Sequence, residues 1–217
     1  MNAAQESRTT GRRRSLGKAL DLQRHDALVL VDIQQDYMSG GALPVPDAEA
    51  ILSRVNAYVA AFAMRHLPIF LTRDWHPENH CSFRTKGGPW PPHCVAGSPG
   101  AKWADGLNVV PGARIISKGS DADTEAYSGF SGTPLLVLLR DLGVRRIFVA
   151  GLATDYCVRA TVMDARAQGF KVVVLADAIR GVDAEPGDVT RAIADMVASG
   201  ATLLQLHHRA RGMVRVD

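Results

Sequence analysis

The chain has 217 residues, enough for one domain with a substantial hydrophobic core and slightly short for two. Its apolar fraction of 47% and charged fraction of 22% are ordinary for a globular protein. No apolar run approaches the roughly 20 residues of a membrane-spanning helix. The net charge of +3 arises in residues 1–25, and the rest of the chain is near neutral. A near-neutral body argues against a nucleic-acid-binding surface, which needs a basic face.

Two features of the sequence bear on the cellular compartment. The basic leader, residues 1–25, contains three consecutive arginines at 12–14, but Asp21 and its polar neighbours interrupt the apolar stretch that an export signal requires. The three cysteines, Cys81, Cys94 and Cys157, include no Cys-x-x-Cys pair, which fits a reducing compartment. We therefore expect a disordered leader and a cytoplasmic protein.

Hydrophobic patterning predicts strands that alternate with helices along the chain. In chain order the predicted elements are strand 27–31, helix 46–64, strand 68–72, strand 114–117, helix 133–142, strand 146–150, helix 156–168, strand 171–175, helix 186–198 and strand 202–206. This order predicts parallel β-α-β crossovers and an α/β fold, a Rossmann-like three-layer α/β/α sandwich with a mostly parallel central sheet. The domain is expected to span residues 26–206, followed by a C-terminal tail at 207–217.

Polar side chains follow the ends of four predicted strands. Asp32 ends the first strand, Asp74 the second, Lys118 follows the third, and Cys157 lies at the helix start after strand 146–150. Sites in open parallel sheets lie at the carboxyl ends of the strands. The sequence therefore predicts that these four side chains meet at one edge of the sheet.

Cys157 is the candidate nucleophile, although taken alone such a cysteine is more often a buried helix residue. Converting it to a thiolate at neutral pH requires its pKa to fall by about two units, worth roughly 2.7 kcal/mol. A helix terminus supplies at most about 2 kcal/mol, so we expect Lys118 to supply the remainder. Asp32 either caps local backbone donors or accepts the thiol proton.

A cluster of histidines and one carboxylate is the candidate metal site. Asp74, His76 and His93, with His80 as a weaker fourth candidate, offer imidazole and carboxylate ligands that suit Zn²⁺, Fe²⁺ or Mn²⁺. Pro77 interrupts any helical spacing between His76 and His80. Without other support, a surface histidine cluster would be the more ordinary interpretation.

Seven segments occur in the order typical of one enzyme family and span about residues 26–206. They are VDIQQDY at 31–37, GGAL at 40–43, DWHPENH at 74–80, WPPHC at 90–94, KG at 118–119, AYSGF at 126–130 and GLATDYCV at 151–158. Together they resemble the nicotinamidase/pyrazinamidase branch of the isochorismatase-like cysteine hydrolases. The basic leader is not part of the family pattern.

The resemblance implies a hydrolase that cleaves the carboxamide C–N bond of nicotinamide or pyrazinamide through a thioester on Cys157. Asp32 and Lys118 complete the implied triad, in which Asp32 transfers the proton and Lys118 balances the charges. The family also has a cis peptide bond at the position of Leu152–Ala153. The amides of Ala153 and Cys157 are then expected to form an oxyanion hole.

The same resemblance implies one divalent metal ion, with zinc expected before iron or manganese, and no organic cofactor. Its ligands would be Asp74, His76 and His93, and some members place a fourth ligand near His80. Four residues match substrate-binding positions: Tyr37, Leu43, Trp90 and Tyr156. Tyr37 stands where phenylalanine is commoner, which could add a polar contact and leaves fine specificity open.

Nicotinamide is the implied small-molecule partner, with a role in NAD salvage. No nucleic acid or membrane partner is expected, and the sequence leaves a homo-oligomer open. Two alternatives also stay open. One is a cysteine amidohydrolase of the same superfamily that acts on another aromatic or heterocyclic amide; the other is a non-catalytic protein that binds a metal or a ligand.

Overall fold

The computed structural model describes residues 20–209 and 212–216 and contains one seven-stranded sheet. Its strands are β1 (Asp26–Val31), β2 (Ile69–Asp74), β3 (Arg114–Lys118), β4 (Arg146–Leu152), β5 (Lys171–Arg180), β6 (Thr202–Arg209) and β7 (Gly212–Val216). The strand order is β3-β2-β1-β4-β5-β6-β7. All neighbouring strands are parallel except the antiparallel pair β6–β7. The prediction of a mostly parallel central sheet is confirmed.

Helices cover both faces of this sheet. They are α1 (Leu52–Ala63), α2 (Leu135–Asp141), α3 (Arg159–Ala167) and α4 (Asp188–Ala198). Short 3-10 turns lie at Gln35–Tyr37, Ala48–Ile51 and Arg84–Lys86, and a π-helical turn at Thr154–Val158 leads into α3. The predicted helices at 46–64 and 156–168 therefore begin with non-α turns. None of the helices in the described residues is long and apolar enough to cross a membrane.

The central strand β1 contributes to a hydrophobic core on each side of the sheet. Leu28 and Leu30 pack in the cluster that includes the apolar face of α1, whereas Val29 and Val31 pack with residues of α2, α3 and α4. Every residue of β1 is buried, as expected for a strand covered on both faces. Full burial of each aliphatic side chain is worth about 1.5–3 kcal/mol, so the sheet is held firmly between its two helical layers.

The chain ends differ from the prediction where the structure describes them. Leu20 and Leu22, which we assigned to the leader, are buried against the core, because their apolar side chains cover its surface near the start of β1. Residues 1–19 of the leader lie outside the described residues. At the other end β6 continues to Arg209 and pairs with β7, so much of the predicted tail is a β-hairpin.

A long irregular segment joins β2 to β3 and lies near the carboxyl end of the sheet. Two backbone hydrogen bonds connect its halves: His76 N donates to Cys94 O at 3.1 Å, and Ala96 N donates to His76 O at 2.8 Å. A bridge between His76 and Val95 results. This pairing brings His93 close to His76 although seventeen positions separate them in the chain.

Candidate active site

Lys118 lies at the centre of the polar cluster that forms where the strands end. Its Nζ is 2.9 Å from Asp32 Oδ2, 2.6 Å from Asp74 Oδ1 and 3.5 Å from Cys157 Sγ. The parallel register of β2 and β3 places Asp74 directly beside Lys118. The structure thus brings together the four side chains that the strand ends placed at one edge.

The charges in this cluster depend on burial and on each other. Burial alone would lower the pKa of Lys118, but Asp32 and Asp74 raise it well above its usual value. Burial raises the pKa of Asp32 to about 6 against the opposing effect of Lys118. The ammonium therefore stays charged, and the Asp32 carboxyl is mostly ionised at neutral pH while still able to hold a proton during a reaction.

Cys157 differs from the prediction in its electrostatics. Burial raises the pKa of its thiol well above the usual value, and the carboxylates of Asp32 and Asp74 add to this effect, whereas Lys118 opposes it. The expected lowering of the thiol pKa is wrong because desolvation outweighs the nearby cation. The thiol is consequently neutral at rest. Its Sγ and an Asp32 carboxylate oxygen lie within 4.8 Å, close enough for proton transfer after a small movement.

The three main candidate metal ligands, Asp74, His76 and His93, lie together beside this cluster. One ligand atom from each of Asp74, His76 and His93 lies within 4.8 Å of the others. Nδ1 of His76 is 2.8 Å from Gly119 O, and Nδ1 of His93 is 2.8 Å from the carbonyl oxygen of Pro91. A carbonyl only accepts, so each Nδ1 carries the hydrogen and each Nε2 keeps its lone pair for a cation.

The charge state of these side chains also fits a metal. Burial lowers the pKa of His76 to about 4, so its imidazole is neutral, as ligation requires. Burial would raise the pKa of Asp74, but Lys118 and His76 lower it to about 2. A carboxylate and two imidazoles form a donor set that suits zinc and other divalent first-row metals.

His80 lies outside the group of three. Its ring packs on His76 with centroids 4.1 Å apart. Its Nδ1 is 2.7 Å from Ser82 Oγ and its Nε2 is 3.2 Å from Thr124 O. Both nitrogens thus contact protein oxygens, and His80 does not belong to the group whose ligand atoms lie within 4.8 Å of one another, although its ring touches His76.

One pocket adjoins both the cysteine and the histidines. It is lined by Cys157, Ala153 and the candidate metal ligands, and by all four predicted substrate-binding residues: Tyr37, Leu43, Trp90 and Tyr156. The peptide bond between Leu152 and Ala153 is cis, as the resemblance implied. Aromatic rings and a few polar side chains line this pocket together, as is usual for a site that binds a small aromatic ligand.

Sequence reasoning missed several residues around the site. Tyr127 lines the pocket, and its hydroxyl accepts a hydrogen bond from Trp90 Nε1 at 3.0 Å. Tyr127 lies in the AYSGF segment, which supported the family resemblance but suggested no role for this residue.

Two other residues hold the carboxylates of the site in place. Gln34 accepts a hydrogen bond from Asp74 N through Oε1 at 2.7 Å and donates one from Nε2 to Asp74 O at 2.8 Å. Thr72 Oγ1 donates to Asp32 Oδ1 at 2.6 Å, and only the pairing of β1 with β2 reveals this contact.

The fold and the site define the class of protein. A buried cysteine, lysine and aspartate at the carboxyl edge of a parallel α/β sandwich suit a hydrolase that uses a nucleophilic thiol. The chain belongs to the isochorismatase family, because the model of the isochorismatase domain matches residues 26–207.

Individual proteins resemble nearly the whole domain. The nicotinamidase of Escherichia coli (strain K12) is 37% identical over 201 residues, which cover 83% of this chain and 94% of that protein. A structure of the pyrazinamidase of Pyrococcus horikoshii in complex with zinc is 49% identical and has a TM-score of 0.80, covering 83% of this chain and 99% of the other. PnC1 from L. infantum in complex with nicotinate is 40% identical with a TM-score of 0.78, covering 84% and 93%.

Proposed function

We propose that the protein is a metal-dependent nicotinamidase that hydrolyses nicotinamide to nicotinate and ammonia and that also accepts pyrazinamide. The main support is a single aromatic-lined pocket that is bordered both by Cys157 and by the group of Asp74, His76 and His93. The similarity to a nicotinamidase, to a zinc-bound pyrazinamidase and to a nicotinate complex supports the same substrate class.

The side chains of the cluster suit hydrolysis in two stages. Asp32 accepts the thiol proton of Cys157 as the sulfur attacks the carboxamide carbon, and the Ala153 and Cys157 amides stabilise the oxyanion. The C–N bond breaks, ammonia leaves with the proton from Asp32, and a thioester remains on the sulfur. Water then attacks the thioester and gives up a proton to Asp32, which returns it to the thiolate. Lys118 keeps its positive charge throughout and balances the negative charge that passes between Asp32 and Cys157.

The metal-binding residues would be Asp74, His76 and His93. Their donor set fits a divalent cation, since the two imidazoles are oriented through their Nδ1 hydrogens and the carboxylate is ionised. Zinc is the expected ion, and iron or manganese suit the same ligands. When bound, the cation supplies a Lewis acid for the ring nitrogen of nicotinamide.

Ammonia release tests the substrate assignment. Metal-depleted protein and protein restored with Zn²⁺, Fe²⁺ or Mn²⁺ are compared on nicotinamide, pyrazinamide and benzamide. We expect metal-restored protein to release ammonia from the first two and to act poorly on benzamide, which lacks the ring nitrogen. No ammonia from nicotinamide or pyrazinamide with any of the metals would refute the proposal. Equal rates on benzamide would point to a different aromatic amide.

Replacement of the cysteines tests the proposed nucleophile. We expect Cys157→Ala to lower kcat by at least about 10⁴-fold, because no other group forms the thioester. Cys81→Ala is the matched control, since Cys81 is also a free thiol but does not line the pocket. Turnover that survives in Cys157→Ala would exclude the thioester, whereas equal loss in both variants would indicate a general effect on folding.

A further inference from the structure

Tyr37 makes a polar contact with one of the candidate metal ligands. It lies in the 3-10 turn that follows β1, and its side chain is buried. Its hydroxyl donates a hydrogen bond to Asp74 Oδ2. An ionised carboxylate only accepts hydrogen bonds, so the hydroxyl is the donor in this contact.

The two oxygens of Asp74 have different partners. Oδ1 accepts a hydrogen bond from Lys118 Nζ at 2.6 Å and lies 3.7 Å from His76 Nε2, while Oδ2 is held by Tyr37. Gln34 already fixes the backbone of Asp74 on both its N–H and its C=O. The carboxylate can still rotate about its Cβ–Cγ bond, and a donor on each oxygen restricts this rotation.

The contact with Tyr37 opposes the attraction of Lys118. A buried ammonium attracts both oxygens of a nearby carboxylate, which would rotate Asp74 toward the catalytic cluster and away from the histidines. The Tyr37 hydroxyl holds Oδ2 and keeps the carboxylate between the catalytic cluster and the histidines. The ring of Tyr37 also lies near His93, with centroids 5.8 Å apart. Tyr37 therefore contacts two of the three candidate ligands.

We propose that Tyr37 is a positioning residue of the metal centre, whose hydroxyl orients the Asp74 carboxylate for the divalent cation. The inference rests on the proposed function in one respect, that Asp74, His76 and His93 bind a metal. Hydrogen-bond partners of metal ligands commonly contribute 10–100-fold to metal affinity. The hydroxyl is also the only part of Tyr37 that phenylalanine would lack.

Metal affinity measured without substrate tests this role. Zn²⁺ is titrated into metal-free wild type and Tyr37→Phe in competition with a chromophoric chelator, and we expect Tyr37→Phe to bind about tenfold more weakly or worse. Tyr58→Phe is the matched control. Tyr58 is also a buried tyrosine whose hydroxyl donates to an aspartate, Asp177 Oδ1 at 2.6 Å, but it does not line the pocket. It should keep wild-type metal affinity.

Two further measurements separate orientation from a loss of folding. Circular dichroism of the metal-free variants verifies the fold, and Tyr37→Leu repeats the test with a second residue that lacks the hydroxyl. In Co²⁺-loaded protein, the visible ligand-field bands should change in Tyr37→Phe and not in Tyr58→Phe, because only the first variant removes a hydrogen bond to a candidate ligand.

The outcomes distinguish this inference from the proposed function. Wild-type affinity in Tyr37→Phe, or the same weakening in Tyr58→Phe, would overturn the role of Tyr37 and leave the metal centre intact. Failure of wild type itself to bind Zn²⁺ would overturn the metal centre and the role of Tyr37 together. Weaker binding and altered Co²⁺ bands in Tyr37→Phe alone would support the inference.

Discussion

Lys118 is a cation buried among the groups whose charges it compensates. Its Nζ contacts the carboxylates of Asp32 and Asp74, the carbonyl oxygen of Ala126 at 3.1 Å and the sulfur of Cys157. Two carboxylates in the same buried volume would repel each other strongly without this ammonium. Lys118 thus stabilises the folded protein and sets the proton affinity of the cluster.

Removal of this cation should destabilise the protein. In Lys118→Met the carboxylates of Asp32 and Asp74 stay buried without a countercharge, and breaking a buried ion pair in this way costs about 3–5 kcal/mol. The free energy of unfolding from urea titrations measures the loss. Lys102→Met is the control, because Lys102 is exposed and should change little. Similar stabilities for both variants would contradict this account of Lys118.

Strand β3 and the residues just beyond it show how one element prepares the site. The strand ends in Lys118, and the next residue, Gly119, has a left-handed backbone with φ of 61°. The carbonyl of Gly119 accepts from His76 Nδ1. A Cβ at Gly119 would lie 2.5 Å from His76 Cε1, so only glycine allows the imidazole to lie this close.

Two glycines that flank β3 provide a test of this arrangement. Gly119→Ala should displace His76 and weaken metal binding by about tenfold or more. Gly112 precedes β3 with φ of 84°, and no atom lies within 4 Å of the position that a Cβ would occupy there. Gly112→Ala therefore has comparable backbone strain, about 1–2 kcal/mol, without the steric clash. Chelator competition with Zn²⁺ should show weaker binding only for Gly119→Ala, and equal affinities would contradict the steric argument.

At the scale of the whole molecule, the site and part of the stabilising core lie at opposite ends of the parallel strands. Asp74 and Lys118 end β2 and β3, whereas Leu20 and Leu22 pack against the core just before β1 begins. Arg146, the first residue of β4, donates to both oxygens of Asp26 at 2.8 and 2.6 Å. A change near the start of β1 can therefore alter stability without a contact to the site.

Replacement of Leu22 by alanine tests whether stability at this end of the sheet is independent of the site. Leu22 is buried, and its replacement by alanine is expected to cost about 2–5 kcal/mol in the free energy of unfolding. The folded variant should still bind Zn²⁺ like wild type, because the change lies at the other end of the sheet. Leu203→Ala is the control, since Leu203 is 42% exposed and should lose less stability. Weaker metal binding in folded Leu22→Ala would show that the two ends are coupled.

Local patterns in the sequence were sufficient for the fold and for part of the site. The apolar run at 27–31 predicts a strand buried on both faces, and the alternation of strands and helices predicts the parallel sheet that the structure contains. The rule that sites lie at the carboxyl ends of strands then places Asp32, Asp74, Lys118 and Cys157 at one edge. These inferences succeed because hydrophobic periodicity is a property of short segments, and the alternation of strands and helices can be followed directly along the chain.

Other properties depend on atoms that only the tertiary structure brings together. The raised pKa of the Cys157 thiol follows from complete burial beside two carboxylates, and helix position alone predicts the opposite direction. The bond between Tyr37 and Asp74 joins positions 37 residues apart. The contacts of His80 with Ser82 and Thr124 likewise depend on a folded loop.

The sequence by itself determined the class of fold, the family and the set of chemical groups. The tertiary structure decided which groups touch, which are desolvated and which protons they hold. The physical reason is that hydrophobic patterning acts along the chain, whereas desolvation and hydrogen bonding depend on every neighbour within a few ångströms.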